Sequence, residues 1–75
     1  MVSGVRANFE HRLGKLREDV LQLGSLARHA VARAVEALVN DDTELALQVI
    51  DDDESINKLR FEIESECYSL LVTEQ

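Results

Sequence analysis

Proline and tryptophan are absent from the chain, cysteine occurs once, and the only aromatic residues are Phe9, Phe61 and Tyr68. Without proline, nothing forbids long uninterrupted helices. With so few aromatics, a core must be built from Leu, Val, Ile and Ala, which helix bundles use readily. Because Cys67 stands alone, an internal disulfide and a Cys-rich zinc site are both excluded. No stretch approaches the ~18 uninterrupted apolar residues of a membrane span, and no continuous apolar segment resembles a signal peptide. The sequence therefore reads as soluble and cytoplasmic, with no membrane insertion.

Basic residues are scarce in the second half. Residues 1–39 hold six Lys/Arg against four Asp/Glu, a net of +2, whereas residues 40–75 hold two against eleven, a net of −9. So acidic a segment repels phosphate backbones, which argues against nucleic acid as a partner. The 75 residues make one small domain or part of one. A chain of this size hides only about 60% of its unfolded surface, so it is marginal unless it is supported by a metal or by further protein.

What is present is periodicity. Val5, Phe9, Leu13, Leu16, Val20, Leu23, Ala27, Ala30, Ala34 and Leu38 follow one another in steps of three and four, the mark of an amphipathic helix over about residues 4–39. From Leu26 onward the apolar arc widens and becomes Ala-rich, with Val31, Val35 and Val39 beside the stripe, which implies more than one neighbouring helix. Gly14 and Gly24 each cost about 1 kcal/mol relative to Ala inside a helix, and the sequence assigns them no role. Asn40-Asp41-Asp42-Thr43 is the one good break. Asn40 is expected to end the first helix in a left-handed conformation, and Asp41 with Glu44 reads as an N-cap and capping box for the second. So short a turn, residues 40–42, makes the second helix, about residues 43–73, return antiparallel.

The second helix carries Leu45, Val49, Ile56, Leu59, Ile63, Cys67 and Leu70 on one stripe, which would bury the Cys67 thiol as a structural group. Where the step from Val49 calls for an apolar residue, the chain offers the acids Asp51-Asp52-Asp53-Glu54. At 100° per residue, Asp52 and Asp53 border the stripe while Asp51 and Glu54 point to solvent. A second column holds Ala46, Ile50, Asp53, Asn57, Arg60, Phe61, Glu64, Tyr68 and Leu71. A two-helix hairpin needs one stripe per helix, so this extra flank asks for a further helix or for copies of the chain.

Asp53 and Asn57 stand at i and i+4, a spacing at which two oxygen ligands can share a hard cation or iron, with Asp52 and Glu64 as nearby donors. The competing account of the same residues is an ordinary solvated face on which Arg60 pairs with Asp53 or Glu64. His11 and His29 are ~27 Å apart along the helix axis and cannot share a metal; both read as surface residues. Neither has a Glu three residues before it, so the Glu-x-x-His signature of di-iron bundles is missing. Cys67 has no plausible base, and no nucleophile–base set can be assembled, so the chain does not read as an enzyme.

The ordered succession Phe9…Leu13…Leu16, Ala34-Val35-Glu36-Ala37-Leu38, Glu44-Leu45-Ala46, Val49-Ile50…Asp53…Ile56-Asn57, Glu62-Ile63-Glu64, Cys67, Leu70-Leu71 and Gln75 resembles the first repeat of the PhoU family, accessory regulators of bacterial phosphate uptake. The resemblance implies an all-α fold: an antiparallel two-helix hairpin forming part of a three-helix bundle. Gln75 is expected to precede the third helix, and the isolated hairpin is expected to self-associate. It implies a non-catalytic adaptor linking the phosphate ABC transporter, through its ATPase, to the phosphate-sensing histidine kinase. The family's Glu/Asp-x-x-x-Asp metal motif falls on Asp53-Glu54-Ser55-Ile56-Asn57, with Asn57 in place of the second acid. The implied cofactor is a divalent or iron ion held by Asp53 and Asn57 in the full-length protein, with no tight binding expected of these 75 residues. The alternative from the pattern alone is a self-associating hairpin with a structural or scaffolding role.

Overall fold

The computed structural model describes the backbone of residues 2–74 and the side chains of residues 6–73, so Val5 and Gln75 of the sequence patterns lie outside the described side chains. It is an antiparallel hairpin of two helices, α1 (Val2–Val39) and α2 (Thr43–Glu74). The molecule is a rod of 59 × 15 × 13 Å. Its radius of gyration is 17.3 Å, against about 11 Å for a globular chain of this length.

The turn is built by three consecutive hydrogen bonds. Asp42 N–H donates to the Ala37 carbonyl at 2.8 Å and Asp41 N–H to the Leu38 carbonyl at 3.3 Å, the paired 6→1 and 5→2 bonds of a Schellman motif. Asn40 N–H still makes a helical bond to Glu36. The left-handed residue is therefore Asp41, with φ of 54°, and not Asn40 as the sequence pattern indicated. The cap also moves by one residue. Asp42 Oδ1 accepts from Leu45 N–H at 3.0 Å, which makes Asp42 rather than Asp41 the N-cap of α2. One residue thus closes α1 with its N–H and opens α2 with its carboxylate.

The seam between the helices follows a heptad. On α1 the less exposed positions include Phe9, Arg12, Leu16, Asp19, Leu23, Ala30, Arg33 and Ala37, alternating steps of three and four with Leu26 filling the remaining place; Gly14 and Ala34 beside them are also half-buried. On α2 they include Leu45, Val49, Ile56, Leu59, Ile63, Glu66 and Leu70, with Ala46 and Ser69 half-buried beside them. Among the described residues only Leu16, Ala37, Ile63 and Leu70 are buried; Leu16, Ile63 and Leu70 cluster with Phe9, Leu23 and Leu59 around them. The aliphatic core therefore sits toward the open end of the hairpin, and the turn half closes on small Ala residues.

This seam corrects the apolar stripe read from the sequence. Leu13, Val20, Ala27 and Leu38 lie beside the seam and are exposed, Leu38 at 82%. Cys67 is exposed as well, and Glu66 takes the seam position expected for it. Counting only apolar residues misses a seam that includes Arg12, Asp19, Arg33, Asp52 and Glu66. Long charged side chains can line a helix interface with their stems while their heads pair across it. Gly14 and Gly24 have open space where a Cβ would stand, so neither is required for a close approach.

Candidate functional site

The acidic turn Asp51–Glu54 of α2 is exposed throughout. Its four carboxylates have separate environments. Asp52 reaches across the seam, where Arg33 Nη1 donates to its Oδ2 and Arg33 Nη2 donates to Gln48 Oε1 at 3.3 Å. The acid that interrupts the apolar stripe is therefore half of an interhelical clamp. Arg33 is the better shielded partner, with 20% of its side chain exposed against 58% for Asp52.

Asp53 and Asn57 are brought together on the adjoining face. Asn57 Nδ2 donates to Asp53 Oδ2 at 3.1 Å, and both residues are exposed. The pair provides one carboxylate and one amide, whose carbonyl oxygen would have to turn toward a cation to ligate it. The other two donors considered with them are engaged elsewhere: Asp52 by Arg33, and Glu64 by Arg60 at 3.1 Å. Among the described residues no three His, Cys, Asp or Glu side chains come together as a metal site. The chemistry of Asp53 and Asn57 suits a hard cation, but the two supply only part of the six or more oxygens such an ion takes.

A second clamp lies toward the open end and was not anticipated from the sequence. Arg12 Nε and Nη2 donate to the two carboxylate oxygens of Glu66 at 2.9 and 3.2 Å, and Nη2 also donates to Ser69 Oγ at 3.0 Å. This two-pronged geometry matches a planar guanidinium to a planar carboxylate. The hydrogen bonds from Arg12 hold the Glu66 carboxyl below its ordinary range, overcoming a partial loss of solvation, and Glu66 raises Arg12 in turn. The signal available in the sequence was the seven-residue spacing of Arg12, Asp19 and Arg33 with the seam, which is visible only once charged residues are allowed into it. His11 and His29 are both exposed and sit on the first helix without a shared ligand.

The two flanks of the seam differ. Ala34, Leu38, Ala46, Val49 and Ile50 line one shallow groove near the turn, which is largely apolar. On the opposite flank, Leu26, Ala30 and Ile56 line a second groove together with His29, Arg33, Asp52 and Ser55, and Leu16 lines a third with His11, Arg12, Lys15, Asp19 and Glu66, so apolar seam residues floor these grooves too and charged residues rim them. The apolar flank continues along α2 through Phe61, Tyr68 and Leu71, which are 67%, 71% and 66% exposed. Among the described residues no helix is long and apolar enough to cross a membrane.

Residues 20–75 match the PhoU domain family. Over 71 residues, 95% of this chain, the sequence is 35% identical to the phosphate-specific transport system accessory protein PhoU homolog of Pseudomonas putida, and the match covers 28% of that protein. The same stretch is 30% identical to the phosphate-specific transport system accessory protein PhoU of Serratia marcescens, covering 29% of it. It is 25% identical to the protein of that name from Escherichia coli strain K12, covering 30%. The chain thus spans less than a third of the length of these relatives. No solved structure gives a significant match.

Proposed function

The chain belongs to the PhoU family, and from that footing we propose that it supplies a helical docking surface to a non-catalytic, cytoplasmic regulator of phosphate uptake and phosphate-starvation signalling. In this reading the regulator links the ATPase of the phosphate ABC transporter to a phosphate-sensing histidine kinase, and these 75 residues are two helices of a three-helix unit. The observation that carries it is the family match over residues 20–75 together with the relatives' description as phosphate-specific transport system accessory proteins. The architecture is compatible with docking. A rod 59 Å long presents side chains along its whole length and has an apolar flank for protein contact.

Asp53 and Asn57 would contribute two oxygen donors to a divalent or iron ion in the full-length protein, the rest coming from residues outside this chain. Such an ion would add positive charge to an acidic helix. For the 75 residues alone, calorimetry with iron, manganese or magnesium should give weak binding at most. Tight binding abolished by Asp53→Ala would show the pair to be a stronger site than its two donors allow.

The regulatory reading is tested by deleting the gene in its own host and following a phosphate-starvation reporter, with tagged protein used to capture partners. Derepression at high phosphate, and retention of the transporter ATPase or the kinase, are expected. An unchanged reporter with neither partner retained would sink it. The exposed apolar flank also favours a second reading, a structural or scaffolding hairpin, which the same deletion would leave without a phosphate phenotype.

A further inference from the structure

We infer that the outer face of α1 beside the turn is a docking face for a basic amphipathic helix of a partner protein. The inference rests on the docking role proposed above and deepens it, by naming the face and the chemistry of what it receives. It begins from an apolar arc on α1 that is wider than the fold consumes. Measured from the buried Ala37 at about 100° per residue, the seam residues Leu26, Ala30 and Arg33 lie within about 40° of zero. Ala34, Ala27 and Leu38 follow at about 60°, 80° and 100°, and Val31, Val35 and Val39 carry the arc on to about 120°, 160° and 200°.

Packed helices stand about 8–10 Å apart, so three of them form a near-regular triangle and the two neighbours of α1 are separated by about 60°. Each covers a stripe about 100° wide. With α2 on the seam and a third helix on the apolar flank, α1 is therefore covered only to about 110°. Val31 lies at that limit, and Val35 and Val39 lie beyond it. The three are 64%, 53% and 77% exposed. Spaced by four residues, they make a ridge ~12 Å long of the kind that packs into the groove of another helix. The ridge asks for a neighbour outside the three-helix unit.

Charge selects that neighbour. Residues 34–57, the turn end of the rod, hold eight Asp/Glu and no Lys/Arg, whereas the rest of the chain holds all eight Lys/Arg against seven acids. Charge is thus separated end to end along the rod as well as from helix to helix. Glu36, Asp41 and Glu44 adjoin the Val39 end of the ridge in the chain, and among the described residues they form no ion pair. A second copy laid ridge to ridge would set one acidic end against another, and an anionic lipid or nucleic-acid surface is repelled for the same reason. Arg28 closes the ridge at its other end and also forms no ion pair, so the partner's Lys/Arg belong beside the turn. A helix with apolar residues that straddle the valines and cations at that end meets both features.

The probe is a synthetic helical peptide with leucines along one face and lysines at one end, titrated into the isotope-labelled 75-residue chain and followed by amide chemical shifts. Shifts are expected over residues 31–44, and binding should weaken with added salt. Val39→Glu, at an exposed position that leaves the fold intact, should lower the affinity at least about tenfold. Glu36→Gln combined with Asp41→Asn should lower it about threefold. Phe61→Ser on the apolar flank, and Glu18→Gln combined with Glu62→Gln in the open half, should change nothing. Absence of binding, equal binding of a peptide with glutamates in place of the lysines, shifts confined to the apolar flank, or indifference to Val39→Glu would overturn the inference. Binding at the ridge alongside a phosphate-starvation reporter that gene deletion leaves unchanged would remove the regulatory reading and leave the docking face standing.

Discussion

Asp41 and Asp42 divide the work of the turn between them, and single substitutions separate the two roles. Asp41 holds φ at 54°, a region in which any Cβ is strained and Gly is not. Asp41→Gly should therefore raise stability by about 0.5–1 kcal/mol. Asp42→Ala removes the bond to Leu45 N–H and should lower it by about 1 kcal/mol. Gly14→Ala and Gly24→Ala meet open space and should each add up to about 1 kcal/mol. Urea unfolding of the four variants checks all of these, and a destabilised Gly24→Ala would reveal a neighbour on that face. That a turn of about three residues lies after Val39 was legible from Asn40-Asp41-Asp42-Thr43. Which Asp caps and which turns left-handed was not, because the cap and the Schellman motif overlap and adjacent Asp residues satisfy either rule.

At the scale of the helices, the sequence revealed two amphipathic elements and their antiparallel return, because steps of three and four persist through both. It misplaced the seam on α1 by choosing Leu13 and Val20 over Arg12 and Asp19. The apolar content of the chain is spread over two columns, and only the pairing of charges across the interface shows which column faces α2. Asp52 looked like a flaw for the same reason: its partner Arg33 lies 19 residues away and on the other helix. The Asp53–Asn57 pair was legible from its i,i+4 spacing, while the commitment of Glu64 to Arg60 was one of two open pairings. The Arg12–Glu66 clamp gives these cross-helix pairs a measurable signature. Glu66 is held below its ordinary range in the fold. The carboxylate therefore binds fewer protons folded than unfolded, and its contribution to stability is complete above the unfolded-state value and lost as pH falls through the folded one. Urea unfolding of the chain and of Glu66→Gln should differ near neutral pH and converge on acidification. A difference that stays constant down to acid pH would mean that the pair contributes through shape alone.

For the molecule as a whole, the apolar residues fall into two populations with separate tasks. Leu16, Ile63 and Leu70 are buried between α1 and α2, whereas Phe61, Tyr68 and Leu71 are exposed on the flank. So small a core makes the monomer marginal, since apolar burial must offset the ordering of two long helices. Ile63→Ala removes buried methyl and methylene groups and should cost about 2–4 kcal/mol. That is enough to unfold a marginal hairpin, and the loss should be the same at low and high protein concentration. Phe61→Ala touches little within one chain and should cost less than about 0.5 kcal/mol when the chain is dilute. If the flank binds a second copy, association stabilises the folded state by mass action, and the same Phe61→Ala becomes destabilising as concentration rises. Thermal unfolding followed by circular dichroism at two widely separated protein concentrations separates the two. The melting temperature of the unmodified chain should rise with concentration, that of Phe61→Ala should rise less, and Ile63→Ala should be depressed at both. Equal effects of Phe61→Ala at both concentrations would place Phe61 in the fold of one chain and remove it from any interface.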